Sequence, residues 1–105
     1  MYANVSGNTS VALISPGDNI SNSKIIHVTN THATDAVSVD LYIGKLSYGG
    51  AAALTYHLVK TVKISKGGYF SMESDALSFQ NSSSTGFGLF ITLNNSDSAV
   101  DVIVK

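Results

Sequence analysis

The most constraining feature of the sequence is a strict alternation of apolar and polar side chains between residues 37 and 43. Every second residue of this stretch is apolar, namely Val37, Val39, Leu41 and Ile43. Successive side chains of a β-strand point to opposite faces, so the pattern predicts a strand with one buried face and one wetter face. We expect the rest of the domain to pack against the buried face.

A second strand is predicted immediately before this one. Residues 24 to 29 are apolar and β-branched enough to favour a strand. The intervening run Asn-Thr-His-Ala-Thr-Asp, residues 30 to 35, is typical of a turn, because Asn, Asp and Thr side chains hydrogen-bond to their own backbone. The two strands are therefore predicted to form a hairpin.

Further segments with a strand pattern lie on both sides of this pair, and most are separated by turn-forming residues. Their ranges are 2–6, 9–14, 54–64, 69–73, 76–79, 87–93 and 100–104. Short strands at such regular intervals indicate a sandwich or a small barrel. The predicted fold is all-β: a single antiparallel β-sandwich over residues 1–105, Ig-like or jelly-roll-like, with seven to eight short strands.

Polar and small-residue segments predict the turns between these strands. Pro-Gly at residues 16 and 17 suits a type II turn, and the glycines of residues 65–68 suit a hairpin turn. Residues 94–98 are predicted to join the last two strands as a hairpin. Residues 45–53 and 80–86 are predicted to be loops.

Lys60 falls in phase with the apolar residues of its strand. A lysine that points into a core is costly, and one extra residue would shift the phase. A β-bulge near residues 59–60 is therefore predicted, with Lys60 at the surface. In the strand at 9–14, the alternation places Val11 and Leu13 opposite Ile14. The residues predicted to be buried together are Val39, Leu41, Leu89, Ile91 and Val102.

Composition excludes several functions. Six lysines, no arginine and a net charge of −1 argue against nucleic-acid binding, which needs a clustered basic surface. The chain has no cysteine for a disulfide or a zinc–thiolate site. It shows no signal-peptide pattern at its start and no apolar run near the ~20 residues that span a bilayer. We expect a soluble product made in the cytosol of its producer, with no membrane partner.

No residue pattern points to catalysis, a metal or a cofactor. His27, His32 and His57 lack the spacing of metal ligands, and no Gly-x-Ser-x-Gly motif presents a nucleophile. Two pairs of carboxylates lie at turns and are interpreted as solvated; they are Asp97/Asp101 and Glu73/Asp75. Aromatic side chains could stack on sugar rings, which keeps a carbohydrate-binding module as the alternative function; they are Tyr42, Tyr48, Tyr56, Tyr69 and Phe90.

Four segments carry a resemblance to a known family. Ile-His-Val-Thr-Asn-Thr (26–31) is followed by Ala-Val-Ser-Val-Asp-Leu-Tyr-Ile (36–43), Tyr-His-Leu-Val-Lys-Thr-Val-Lys-Ile (56–64) and Ala-Val-Asp-Val-Ile-Val (99–104). Over residues 23–105 this resembles small virion proteins of tailed bacteriophages, although that family usually has proline in the turn that is Ser-Lys-Gly-Gly here. The resemblance implies a non-enzymatic β-sandwich protein of the virion that decorates or stabilises a capsid or tail.

Low charge and exposed strand edges predict self-assembly. Only 12% of the residues are charged, against about 25% in ordinary domains. The two N-terminal strands contain no lysine or proline to protect an edge, so their backbone could pair with a neighbouring subunit. We expect a homo-oligomer, a trimer by analogy with decoration proteins, with residues 1–8 as an interface arm or edge strand. The candidate interface residues are Tyr2, Val5, Val11 and Leu13.

Overall fold

The computed structural model describes residues 1–45, 53–95 and 98–105. These residues form eight β-strands and one 3₁₀ turn, Asp75–Leu77. The strands are β1 (Tyr2–Ser6), β2 (Ser10–Ile14), β3 (Ile25–Asn30), β4 (Val37–Lys45), β5 (Leu54–Ile64), β6 (Tyr69–Glu73), β7 (Phe87–Leu93) and β8 (Ala99–Val104). The all-β prediction is thereby confirmed.

The strands form two four-stranded antiparallel sheets. Sheet A has the order β1-β8-β3-β6, and sheet B has the order β2-β7-β4-β5. The first strand pairs with the last, the second with the second to last, and so on inward: β1 with β8, β2 with β7, β3 with β6 and β4 with β5. This nested pairing across two sheets is the jelly-roll arrangement. The structure therefore selects the jelly-roll alternative over the Ig-like one.

The predicted hairpins are wrong, although the strands that form them are present. β3 lies in sheet A and β4 in sheet B, so the polar run between them crosses from one sheet to the other. The same is true of β5 with β6 and of β7 with β8. Among the described strands, only β4 and β5 are both consecutive and paired. Alternation shows which face of a strand is buried, but it does not show which strand lies beside it.

One hydrophobic cluster fills the space between the sheets. Alternate side chains of β4, β7 and β8 point into it, as the alternation predicted, and the five residues predicted to be buried are each at most 1% exposed. The apolar residues of the cluster come from both sheets and from the 3₁₀ turn; they are Val5, Leu13, Ile14, Ile26, Val28, Val37, Val39, Leu41, Ile64, Leu77, Leu89, Ile91, Leu93, Val100, Val102 and Val104.

Bulges occur in both edge strands of sheet B. The register of β5 against β4 shifts twice, once between partners Val62 and Val59 and once between Val59 and His57. Thr61 has a φ of 57°, and Lys60 is exposed, which confirms the predicted bulge. The register of β2 shifts between Ala12 and Ile14. Leu13 and Ile14 are consequently both buried, which corrects the prediction that they lie on opposite faces.

The turn at residues 15–18 has the predicted local geometry, whereas the turn at residues 65–68 differs from its prediction. The Asp18 N–H donates to the Ser15 carbonyl at 3.1 Å, and Gly17 at the third position has a φ of +90°. The left-handed φ is the one that a type II turn requires, and glycine adopts it at no steric cost. Residues 65–68 close in the same way, with the Gly68 N–H donating to the Ser65 carbonyl at 2.9 Å. This second turn joins two sheets and is not a hairpin.

Three predicted segments differ from the structure or fall outside it. The strand expected at 76–79 is absent, because residues 75–77 form the 3₁₀ turn, whose first N–H groups are capped by Ser74. The Leu77 side chain of this turn is fully buried. The small-residue loop at 45–53 lies mostly outside the described residues, and Lys45 itself ends β4. Part of the turn at 94–98 also lies outside them.

Buried Asn81 holds three loop segments together at one end of the sandwich. Its Nδ2 donates to the carbonyls of Ser15 and Phe87 at 2.9 and 2.8 Å, and its Oδ1 accepts the Ile20 N–H at 3.0 Å. The side chain thus bonds to two backbone groups of the 15–24 loop and to the carbonyl of the first residue of β7. Since unpaired buried polar groups are costly, Asn81 is a principal structural residue of this end.

Asn30 has the corresponding role at the β3–β4 crossover. Its Nδ2 donates to the carbonyls of Asp35 and Ile64 at 2.9 and 3.0 Å, and its Oδ1 accepts the His32 N–H at 2.9 Å. The predicted turn chemistry of this run is therefore present. It links the crossover to the end of β5 instead of closing a hairpin.

Leu41→Ala is expected to lower the free energy of unfolding by about 2–5 kcal/mol, because it removes a fully buried side chain and leaves a cavity. Chemical denaturation of the two proteins measures the difference. Ser71→Ala, at an exposed position of β6, is the control and should change stability by less than about 0.5 kcal/mol. A loss below about 1 kcal/mol for Leu41→Ala would contradict its central place in the core.

Asn81→Ala is expected to lower the free energy of unfolding by about 2–4 kcal/mol, because the Ile20 N–H and the Phe87 carbonyl would lose their side-chain partner and the Ser15 carbonyl would keep only the Asp18 N–H. Urea titration followed by circular dichroism measures the loss. Asn22→Ala, an exposed asparagine of the preceding loop, provides the matched control and should be nearly neutral. Equal stability of the two variants would show that Asn81 has no structural role.

Candidate functional site

The three histidines are placed apart and each has a structural neighbour. His27 stacks on Tyr69 with ring centroids 4.9 Å apart, and His57 lies 5.4 Å from the Tyr42 ring. The His32 Nδ1 accepts backbone N–H groups of the 31–36 crossover. Within the described ranges, no group of three His, Cys, Asp or Glu side chains converges on a metal-sized site.

Within the described part of the chain, the outer edge of β1 carries a regular row of backbone groups that pair with no other strand. Met1 and Val104 exchange hydrogen bonds at 2.7 and 2.9 Å, and the Gly7 N–H donates to the Ser98 carbonyl at 2.9 Å. In an antiparallel pair every second residue bonds to the partner strand, so Met1, Ala3, Val5 and Gly7 face β8. The N–H and C=O groups of Tyr2, Asn4 and Ser6 consequently point away from the sheet.

The opposite edge of sheet A has the same arrangement. The Ser74 N–H donates to the Lys24 carbonyl and the Asn30 N–H donates to the Gly68 carbonyl, at 2.8 and 2.9 Å. By the same alternation, residues 69, 71 and 73 of β6 present their N–H and C=O groups to the outside. Both edges of sheet A therefore offer three outward residues at the same two-residue spacing.

The edges of sheet B are better protected than those of sheet A. β5 contains two register shifts and the exposed side chains of Lys60 and Lys63, and β2 contains a bulge and is followed by Pro16. Bulges, lysine and proline are the usual devices that prevent a strand edge from pairing. β1 has none of these devices.

The four predicted interface residues do not form one surface. Tyr2 and Val5 lie on β1, whereas Val11 and Leu13 lie on β2 of the other sheet. Tyr2 is 75% exposed, but Val5 and Leu13 are 3% and 6% exposed because their side chains fill the core. Val11 is half-buried beside Ile91. At β1 and β2, a neighbouring subunit would thus meet backbone groups and Tyr2 rather than the other three side chains.

The outer face of sheet A carries exposed aromatic and aliphatic side chains among polar ones. Tyr2, Tyr69 and Ile25 point outward and are 75%, 67% and 41% exposed. A depression of about 360 Å³ on this face is lined by Ile25, His27, Ser71, Ile103 and Lys105. A cluster of exposed apolar groups on one face marks a surface for interaction. This face and the open β1 edge adjoin each other and together form the candidate assembly surface.

The outer face of sheet B carries a row of aromatic rings. Tyr42 and Phe90 are cross-strand neighbours, with ring centroids 5.4 Å apart and planes at 15°. His57 pairs with Tyr42 on the other side and continues the row, again at 5.4 Å. Tyr42 and Phe90 are half-buried and His57 is exposed, so ring surface remains accessible along the row.

Two paired glycines make room for these rings. Gly44 and Gly88 face each other at the next outward position of β4 and β7. A Cβ at Gly44 would lie 3.4 Å from both the Phe90 and Tyr42 rings, and one at Gly88 would lie 3.2 Å from the Phe90 ring. The rings therefore lean onto the glycine backbone.

A polar row runs parallel to the aromatic row on its other side. Ser10, Thr92 and Asp40 are consecutive cross-strand partners. Ser10 Oγ and Thr92 Oγ1 are 2.7 Å apart, and the Thr61 N–H donates to Asp40 Oδ1. Among the described residues, no hydrogen-bond partner is found for Asp40 Oδ2. The aromatic row and this polar row together form the sheet B platform.

Sequence reasoning named two of the aromatic residues of the platform but not their arrangement. Tyr42 and Phe90 were expected as exposed aromatics, and Tyr48 falls outside the described residues. The sequence feature that indicates the platform is an aromatic residue two positions from a glycine on each strand. The two motifs are Tyr42-x-Gly44 on β4 and Gly88-x-Phe90 on β7. That these two motifs are paired depends on the register of β4 and β7, which the sequence does not contain.

No protein-family model matches the chain, and no curated protein matches its sequence. None of the described residues belongs to a helix that is long and apolar enough to cross a membrane.

Gly88→Ala is expected to destabilise the protein by about 1–3 kcal/mol, since the new Cβ would lie 2.6 Å from the Ile14 carbonyl oxygen and 2.9 Å from the Pro16 ring. Gly44→Ala is the matched control on the paired strand, because its Cβ would meet only ring edges at ordinary contact distance. Thermal denaturation compares them. If Gly44→Ala were the more damaging change, the close approach of β2 at Gly88 would be refuted.

Proposed function

We propose that this protein is a non-enzymatic structural component of a bacteriophage virion, which decorates or stabilises the capsid or tail through contacts between copies of itself. It is made in the host cytoplasm and is located on the particle. The observation that supports this most is the candidate assembly surface, where an open strand edge adjoins a sheet face with exposed aromatic and aliphatic side chains. The family resemblance of residues 23–105 supplies the virion context.

The jelly-roll topology is compatible with this role without establishing it. Viral capsid domains and lectins share this arrangement, and a fold alone does not determine a function. The contacts of the assembly surface are therefore the stronger support. A chain that is 12% charged also carries little mutual repulsion between copies.

Pairing between β1 of one copy and β6 of the next would join the A sheets into a larger one. The outward groups of Tyr2, Asn4 and Ser6 match those of residues 73, 71 and 69 in number and spacing. Such a head-to-tail contact closes into a ring when its rotation allows, and three copies are proposed by analogy with decoration proteins, which often match the local symmetry of a capsid. With the outer faces of sheet A turned toward the ring axis, Tyr2, Ile25 and Tyr69 would be shielded from water.

Asn4→Pro is expected to convert the oligomer into a monomer while leaving the sandwich folded. Proline removes the N–H of residue 4, which points away from β8, and so it blocks pairing at the edge without removing a hydrogen bond to β8. Light scattering coupled to size-exclusion chromatography gives the mass. A trimer is expected for the unmodified chain and a monomer for the variant.

Asn4→Ala is the matched control for this experiment. It also loses the side-chain hydrogen bond from Asn4 to Asp101 but keeps the backbone N–H, so it should still assemble. Deleting residues 1–8 discriminates less, because it also removes buried Val5 from the core. A monomeric unmodified chain at high concentration would remove self-assembly in solution, and attachment to a particle would then have to supply the contacts.

Mass spectrometry of purified phage particles tests the virion assignment itself. The expected result is many copies of the chain per particle, in a fixed ratio to the major capsid or tail protein. Its absence from particles of a phage that encodes it would contradict the proposal, whatever its state of assembly in solution.

A further inference from the structure

We propose that the sheet B platform binds a neutral saccharide, with pyranose rings lying on the aromatic row and their hydroxyl groups bonded to the polar row. The proposal does not depend on the virion assignment, because the platform and the candidate assembly surface lie on opposite outer faces of the sandwich. A particle-bound copy could therefore present the platform to the outside.

The aromatic row fits the apolar face of a sugar ring. Phe90, Tyr42 and His57 follow one another across three neighbouring strands with centroids 5.4 Å apart; the Phe90 and Tyr42 rings form an offset stack with planes at 15°, and the His57 ring is tilted by 47° to Tyr42. Because Gly44 and Gly88 have no side chains, the Phe90 and Tyr42 rings lie close to the backbone of the sheet at these positions. Aromatic faces carry negative electrostatic potential, which attracts the polarised C–H groups of a pyranose face.

The polar row supplies hydrogen bonds at a suitable distance. Thr92 and Asp40 lie two residues from Phe90 and Tyr42 on the same strands, which places the two rows roughly 6.8 Å apart. Thr92 and Ser10 provide hydroxyl groups, and the Asp40 carboxylate has an oxygen that accepts no hydrogen bond from another described residue. A ligand with an apolar face and a hydroxyl rim would engage both rows at once.

The charge of the two rows selects a neutral ligand. Asp40 is the only acidic side chain of the two rows, and a carboxylate disfavours an anionic saccharide or a nucleic acid. The exposed Lys63 of β5 lies opposite Ser38, the outward residue before Asp40 on β4, and so stands beside the polar row and not within it. An apolar peptide laid on the rings would remove Asp40 Oδ2 from water and give it no hydrogen-bond donor, which is costly for a carboxylate. A neutral saccharide satisfies both the rings and the polar groups.

Two-dimensional NMR titration of the full chain tests the proposal with malto-, manno- and galacto-oligosaccharides, and with oligogalacturonate as the anionic comparison. At least one neutral series is expected to shift amide signals of residues 40–44 and 88–92. Tyr42→Ala should weaken that binding roughly tenfold. Tyr69→Ala, which removes an exposed ring from sheet A, is the matched control and should leave the affinity unchanged.

Asp40→Asn provides a second test that does not remove a ring. The asparagine oxygen can still accept the hydrogen bond from the Thr61 N–H, so the variant should fold. Its NH₂ group replaces the second carboxylate oxygen, which removes an acceptor for sugar hydroxyl groups, so binding should weaken. The proposal is overturned if no neutral series shifts these amides, if oligogalacturonate binds more tightly, or if Tyr42→Ala and Asp40→Asn bind as the unmodified chain does. Shifts of the same amides on raising the protein concentration without sugar would instead show that another copy covers the platform.

Discussion

The structure depends on the burial of one face of each sheet against the other. Most of its strands are apolar on only one side, so none of them is stable as an isolated hairpin with water on both faces. Leu41 on β4 and Val102 on β8 illustrate the solution: they come from different sheets, are separated widely in sequence and are both excluded from water in the same cluster. The two outer faces then become available for other roles.

This constraint explains why consecutive strands so seldom pair. A chain that changes sheet at most of its links must satisfy the backbone groups of those links without a ladder. Asn30 and Asn81 do this at two such places, and each makes three hydrogen bonds to the backbone from a position that is 1% exposed. These two asparagines have the sequence context of ordinary turn residues, but their side chains are buried and bond to the backbone of the crossing segments.

The sequence predicts the local features well, because alternation and turn chemistry are local properties. The buried residues of β4, β7 and β8, the bulge at Lys60 and the turn at Pro16-Gly17 all follow from neighbours along the chain. The partner of each strand does not, because pairing depends on which of several apolar faces meet across the core. For the same reason the sheet B platform could not be predicted: Tyr42 and Phe90 become neighbours only through the register of two strands that are far apart in sequence.

Amide hydrogen exchange along β1 as a function of protein concentration tests the assembly surface most directly. The N–H groups of Ala3 and Val5 face β8 and should be protected at every concentration. The N–H groups of Tyr2, Asn4 and Ser6 should exchange rapidly in dilute solution. They should become protected as the concentration rises, because they then donate hydrogen bonds to carbonyl groups of a strand from a neighbouring copy. Rapid exchange of these three at all concentrations, with Ala3 and Val5 protected throughout, would contradict the account.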